Sequence, residues 1–180
     1  GANTSTGAIT VSAGVLQVGD AGTTGSITGN AAVAAGAGLV FSRTDAVTYG
    51  GNISGAGTVS KPGTNVLTLT GVQTYTGATA TGDTGGGLVF TNNTLPTTTG
   101  AFTGNGYVTI QPAVAGSFGS TLSSNAYNFA SSLTGLTLGR DGNTSTITIN
   151  APLTIAGPIS IYGGTINLNA DITSTAANAA

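Results

Sequence analysis

Short apolar doublets recur through residues 144–173, and they constrain the fold more than any other feature of the sequence. The two residues of each doublet lie at positions i and i+2, which in a β-strand places both side chains on one face. Proline or glycine residues separate most of the doublets and end each strand after a few residues. The doublets are Ile147/Ile149, Leu153/Ile155, Ile159/Ile161 and Ile166/Leu168, followed by Ile172.

The doublets repeat at an interval of nineteen residues when every third one is compared. Ile147 and Ile166 are nineteen residues apart, and so are Leu153 and Ile172. If three strands complete one coil, each of these pairs is stacked in adjacent coils. The sequence therefore predicts an all-β fold, a parallel β-helix (β-solenoid) with three short strands and about 19–23 residues per coil. It also predicts that Ile166 is buried, so that an aspartate there is severely destabilising.

The composition agrees with strands and excludes several classes of function. Glu is absent, helix formers other than Ala are scarce, and Thr, Val and Ile favour strands, so we expect almost no helix. Only 4% of the residues are charged and only three are cations, so a nucleic-acid partner is not expected. No apolar run is long enough for a transmembrane helix, so we expect no membrane insertion by this segment.

Two parts of the chain resemble repeats of large exported bacterial proteins. The motif Gly-x-x-Thr-Tyr-Thr-Gly at 71–77, with the segments at 53–61 and 67–71 before it, resembles the autotransporter-associated β-strand repeat; the resemblance covers about residues 1–90. Residues 133–175 resemble the arrays of filamentous-haemagglutinin-like proteins. Both resemblances imply a right-handed parallel β-helix that is extracellular, at the bacterial cell surface.

An internal repeat supports the first of these resemblances. Residues 1–20 align with residues 71–90, although Ser5 stands where Tyr75 stands in the second copy. The matched pairs are Thr4/Thr74, Thr6/Thr76, Gly7/Gly77 and Ala8/Ala78. This alignment predicts that the matched residues occupy equivalent places in their coils.

We expect residues 1–180 to form one solenoid section of a longer repeat protein. Within it, residues 1–90 form the autotransporter-type repeats and residues 133–175 the regular haemagglutinin-like coils. Residues 91–132 lack a regular spacing, which predicts irregular coils with longer loops. The phenylalanines of this middle part are predicted to fill the core; they are Phe102, Phe118 and Phe129.

The residue types offer little catalytic chemistry. The absence of His and Cys excludes Ser–His–Asp and Cys–His arrangements and metal sites built from those two residues. The five aspartates are dispersed, and most lie next to glycine, as is typical of turns. They are Asp20, Asp45, Asp83, Asp141 and Asp171. The sequence therefore predicts a protein that is not an enzyme, with no catalytic residue, no cofactor and no metal site, and with Arg140 paired to Asp141 or to a neighbouring coil.

Three functions are compatible with these features. The first is a structural stalk or filament segment of a secreted or cell-surface protein, acting in adhesion, biofilm matrix or an extracellular fibre. The partners of such a segment are neighbouring coils of the same long chain or other copies joined end to end. The second is a module that binds surface glycans through loops in residues 91–132, with Tyr107 and Tyr127 as ligand-binding residues. The third is a glycosidase or lyase that uses a pair of aspartates.

Overall fold

The structure is a computed structural model that describes Asn3, residues 6–114 and residues 116–175. The described residues form short strands and a single 3-10 turn at Ser124–Ala126. The strands are β1 (Ile9–Val11), β2 (Val15–Gly22), β3 (Ala31–Val33), β4 (Gly38–Arg43), β5 (Val47–Tyr49), β6 (Ile53–Ser54), β7 (Thr58–Ser60), β8 (Val66–Leu69), β9 (Thr79–Ala80), β10 (Gly87–Thr91), β11 (Ala101–Thr103), β12 (Tyr107–Gln111), β13 (Leu122–Ser123), β14 (Asn128–Phe129), β15 (Gly135–Leu138), β16 (Thr146–Ile149), β17 (Leu153–Ile155), β18 (Ile159–Ile161), β19 (Thr165–Leu168) and β20 (Ile172–Ser174).

The chain visits three faces in turn, and most strands pair in parallel with the strand of the previous coil. The first face holds the sheets β1-β3-β6 and β13-β16-β19. The second holds β2-β4-β7-β9-β11-β14, followed by β17-β20, and the third holds β5-β8-β10-β12-β15-β18. The protein is therefore a parallel β-solenoid of about eight coils, as the doublets predict. Its right-handed winding, which the resemblances imply, stays a prediction.

The registers confirm the nineteen-residue recurrence. Ile147 pairs with Ile166, and Leu153 pairs with Ile172. The predicted upper limit of 23 residues per coil is wrong, because Val108 pairs with Leu136, twenty-eight residues further on. The long coil passes through the region between residues 91 and 132. The division of the chain at residues 90 and 132 stays a prediction.

The core is a set of columns in which apolar side chains stack on their equivalents in the next coil. On the third face, Leu67, Leu88, Val108 and Leu136 form one such column, and each is at most 2% exposed. Each fully buried side chain of this kind contributes about 1.5–3 kcal/mol relative to an exposed one. In the middle of the chain, aromatic rings also fill the core. Phe102 and Phe118 are buried and Phe129 packs against the core, which confirms their predicted role.

The corners between faces stack glycine on glycine. A Cβ on Gly77 would lie 2.0 Å from the carbonyl oxygen of Gly57, so no larger residue fits at this inter-coil spacing. Asparagine side chains secure another corner: Asn30 Oδ1 accepts the N–H of Asn52 at 2.9 Å, and Asn52 Oδ1 accepts the N–H of Val72 at 2.7 Å. Contacts of this kind fix the coils in register along the axis.

The same corners correct the predicted internal alignment. Gly7 stacks below Gly29, and this column continues through Gly51 to Gly71, so Gly7 is equivalent to Gly71 and not to Gly77. Relative to this stacking, the sequence alignment displaces each residue of the first copy by six positions. Six residues are about one strand and its turn, so the alignment assigns each residue to the wrong face. Thr6/Thr76 and Ala8/Ala78 fail for the same reason, while Thr4 lies outside the described residues.

The predicted burial of Ile166 is also wrong. Ile166 is 47% exposed and Leu168 is 62% exposed, because β19 belongs to the last coil among the described residues and no described strand covers its outer edge. Their partners one coil below, Ile147 and Ile149, are fully buried.

This difference predicts unequal effects of the same substitution along one column. Ile147→Asp, one coil below Ile166 in the same column, places an unpaired charge in the core and is expected to lower the free energy of unfolding by at least ~3 kcal/mol. Ile166→Asp leaves the charge in water, so we expect a loss of about 1 kcal/mol or less in this 180-residue chain. Urea denaturation followed by circular dichroism measures both values, and equal losses would contradict the placement of β19.

Candidate functional site

A cavity of about 580 Å³ opens on the first face between two successive coils. One wall is formed by residues 95–99 and the other by residues 120–128. The cavity lies where the ladder of the first face is interrupted: that face consists of two separate sheets, one ending at β6 and one beginning at β13. The volume is within the range of roughly 300–1,000 Å³ that is usual for ligand pockets.

The interruption follows from the local sequence. The backbone N–H of Thr97 donates to the carbonyl of Gln73 at 3.0 Å, so residues 95–99 continue the first face by one coil. Pro96 has no N–H to donate, and β13 pairs onward with β16 rather than back toward Pro96. Thr97 and Thr99 line the cavity, whereas Thr98 between them is fully buried and its hydroxyl has no partner among the described residues.

The second wall is held by the buried hydroxyl of Ser124. Ser124 Oγ accepts the backbone N–H groups of Asn150 and Ala151, both at 3.0 Å, and donates to the carbonyl of Ala151 at 3.2 Å. These bonds attach the 3-10 turn to the coil above it. The wall is therefore fixed to the rigid part of the solenoid, although it contains no long strand.

Tyr127 joins the two walls of the cavity. Its hydroxyl donates to the carbonyl of Pro96 at 3.0 Å, and its ring packs against Phe102 and Phe129 with centroid distances of 6.3 Å and 5.8 Å. Only 9% of Tyr127 is exposed, and burial raises its pKa to about 12. The residue predicted to bind a ligand thus borders the cavity as part of its rigid frame, and its ring faces are largely occupied by other aromatic rings.

Tyr107, the other predicted ligand-binding residue, lies elsewhere. It begins β12 on the third face, where it is half-buried, and it does not line the cavity. Its ring covers Gly87 of the preceding coil, because a Cβ on Gly87 would lie 2.1 Å from Tyr107 Cζ. The structure does not bring Tyr107 and Tyr127 into one site.

The cavity lining carries no charged side chain. The hydroxyl and amide groups come from Thr97, Thr99, Ser120, Thr121, Ser123, Asn125 and Asn128, and the apolar surface from Leu95, Pro96, Ala126 and Tyr127. Sequence reasoning selected Tyr127 in this region but missed the polar residues. Their only signal was their position in the irregular segment, since serine, threonine and asparagine are common throughout the chain.

The charged side chains of the described residues lie outside the cavity. Arg43 forms an ion pair with Asp45 at 2.6 Å, and its hydrogen bonds hold the pKa of the Asp45 carboxyl below the ordinary value. Arg140 Nη1 donates to carbonyls of the neighbouring coil, at Pro112 (3.4 Å) and Ala113 (3.2 Å). Within the described ranges, no three residues of the types His, Cys, Asp and Glu gather as a metal site would require.

Lys61 is the charged residue whose environment the sequence did not indicate. It is 1% exposed, and its ammonium group donates to the carbonyl of Gly63 at 2.8 Å. Burial lowers its pKa, and the carboxylate of Asp83 partly opposes this effect. A Cβ on Gly86 would lie 2.5 Å from Lys61 Nζ, so a glycine in the next coil makes room for the buried amine.

Comparison with known proteins gives one significant likeness among curated proteins. The chain is 51% identical over 57 residues to the adhesin BmaC autotransporter of Brucella suis biovar 1 (strain 1330). Part of this chain is similar to an autotransporter adhesin. The match covers 32% of this chain and only 2% of the adhesin's length. With the β-solenoid fold, it confirms the resemblance to autotransporter repeats that the sequence motifs indicated.

The other comparisons found no counterpart: no protein-family model matches the chain, and no solved structure does. Separately, none of the helices in the described parts of the chain has the length and apolar character needed to cross a membrane.

The frame role of Tyr127 predicts a pH-dependent loss of stability. Its folded-state pKa of about 12 exceeds the ordinary value of 10.0, so the unfolded chain loses this proton first as the pH rises. The contribution of Tyr127 is complete below pH 10.0 and is lost as the pH rises toward about 12.

Tyr127→Phe removes the ionisable group and the bond to Pro96, and we expect it to cost about 1–2 kcal/mol near neutral pH. The variant should then lose less stability than the wild type across the alkaline range. Urea denaturation at a series of pH values measures this difference, and parallel curves for the two proteins would show that Tyr127 titrates normally.

Proposed function

We propose that the chain is a rigid scaffold segment of a bacterial cell-surface or extracellular adhesin. The observation that carries the proposal is the continuous ladder of six parallel strands on both the second and the third face. A ladder of this kind transmits load along the axis through backbone hydrogen bonds in every coil. The likeness to the Brucella autotransporter adhesin supports the cell-surface location and the adhesive role.

The proposed action is mechanical and needs no catalysis. Stacked coils hold the neighbouring segments of the protein at a fixed distance and orientation, as a stalk or filament does. Such a stalk would act in adhesion, in a biofilm matrix or in an extracellular fibre. The five aspartates occupy turns in different coils or the β2 strand, and Asp45 is neutralised by Arg43. This dispersion favours a scaffold over a hydrolase that uses two adjacent carboxylates.

The exposed edge of the last described coil supports a role within a longer solenoid. Ile166, Leu168 and Ile172 expose apolar side chains that continue buried columns. Asn169 likewise extends a side-chain ladder, since its Nδ2 donates to Asn150 Oδ1 at 2.9 Å. We propose that a neighbouring coil of the same long chain stacks on β19 and β20, because such a coil would match both the apolar and the polar columns.

The scaffold role predicts unusual resistance to trypsin. The chain has three basic residues, and Lys61 precedes Pro62, a bond that trypsin does not cut. Of the two cleavable sites, Arg43 is bound to Asp45 and to the carbonyls of Thr23 and Gly25, while Arg140 is bound to the neighbouring coil. We therefore expect the folded chain to stay intact under conditions in which the urea-unfolded chain gives fragments 1–43, 44–140 and 141–180.

A matched variant tests the physical reason. Asp45→Ala removes the ion pair and leaves Arg43 held only by the carbonyls of Thr23 and Gly25. It should accelerate cleavage after Arg43 without changing cleavage after Arg140, as measured by mass spectrometry of the fragments. Cleavage of the folded wild-type chain at the rate of the unfolded chain would contradict the rigid scaffold.

A further inference from the structure

We propose that the cavity between residues 95–99 and residues 120–128 binds an uncharged saccharide. The site goes beyond the scaffold role, because a stalk needs no such opening: elsewhere on the first face, successive coils pair directly. At about 580 Å³ the cavity is large enough for a small ligand, and it lies at the surface, where a glycan chain can enter.

The lining combines the two kinds of surface that a sugar presents. Hydroxyl groups of Thr97, Thr99 and Thr121 and the amide of Asn128 are exposed and can both donate and accept hydrogen bonds, as sugar hydroxyls do. Next to them, Leu95 and Ala126 supply apolar surface suited to the C–H face of a pyranose ring. A purely apolar ligand would leave these polar groups unpaired, which disfavours its binding.

The side-chain amide of Asn125 is already oriented in the absence of a ligand. Ser123 Oγ donates to Asn125 Oδ1 at 2.7 Å, and Asn150 Nδ2 donates to Ser123 Oγ at 3.0 Å. This chain of bonds fixes the Asn125 amide and occupies its oxygen, so its Nδ2 remains as a donor at the exposed rim. A fixed donor reduces the entropy that a ligand loses on binding.

The charge of the lining selects neutral over acidic sugars. None of the lining residues is cationic, and Arg43 and Arg140 are engaged at other corners. A carboxylate or sulfate placed in the cavity would lose part of its hydration without gaining a counter-ion, which is unfavourable. We therefore expect uncharged hexose or N-acetylhexosamine residues and not sialic or uronic acids.

The geometry argues against an inserted peptide strand. Beside the cavity, Phe102 pairs with Phe129 and Tyr107 pairs with Gly135, so the same two coils remain at ordinary strand spacing on the other two faces. The bond from Tyr127 to Pro96 ties the walls together at the cavity itself. An additional strand would have to break these pairings, whereas a saccharide needs only the existing opening.

The test uses the 180-residue chain on an array that carries neutral oligosaccharides of mannose, galactose and N-acetylglucosamine, sialylated and uronic-acid glycans, and extended peptides. We expect binding to at least one neutral glycan. Thr99→Ala and Asn125→Ala should each weaken that binding by roughly ten-fold, the effect of losing one or two hydrogen bonds.

Two residues outside the cavity provide controls, the exposed Asn105 and the half-buried Tyr107. Asn105→Ala is matched to Asn125→Ala in chemistry, and Tyr107→Ala removes the aromatic residue on the third face; both should bind like the wild type. Equal thermal melting of all variants shows that the fold is intact.

Four outcomes would overturn the proposal: no glycan bound, binding confined to acidic glycans, binding confined to peptides, or cavity variants that bind as well as the controls. None of these outcomes affects the trypsin test, so failure of the saccharide site is distinguishable from failure of the scaffold.

Discussion

The parallel backbone ladder between successive coils is the interaction on which the rest of the structure depends. It sets the inter-coil spacing, and this spacing decides which residues fit at each position. At the corner where Gly77 stacks on Gly57 only glycine is small enough, as its contact with the Gly57 carbonyl shows. On the faces, the spacing stacks each apolar residue on its equivalent, so that one buried column extends through several coils. Even the buried Lys61 fits because Gly86 lies beside its amine.

The sequence predicts this fold well where the coil length is constant. Ile147 and Ile166 could be paired from their spacing alone, since Leu153 and Ile172 in the same two coils are also nineteen residues apart. The prediction fails where the length varies: Gly7 and Gly77 look alike but occupy different corners, because the intervening coils contain 20 or 22 residues. Exposure is less predictable still. Ile166 has the pattern of a core residue, but burial also requires a coil above it, and a periodic pattern carries no information about that neighbour.

The candidate site, too, could be predicted only in part from the sequence. The irregular spacing of residues 91–132 predicts longer loops there, but it does not reveal that the ladder stops on one face and continues on the other two. Tyr107 and Tyr127 are indistinguishable as aromatic residues in this segment. Their difference arises from tertiary packing, which places Tyr107 over Gly87 and ties Tyr127 to Pro96. An interruption in an otherwise uniform scaffold creates the opening, and the surrounding ladder makes it rigid.

Site-resolved nuclear magnetic resonance of the folded chain tests the parallel stacking most directly. Short proton–proton distances should connect Val108 of β12 with both Leu88 and Leu136, and Ile149 with Leu168, although these partners lie 19–28 residues apart in sequence. Consecutive strands such as β11 and β12 should show no such ladder, because they lie on different faces. Antiparallel contacts between β11 and β12, with none between Val108 and Leu88, would contradict the solenoid and the functions inferred from it.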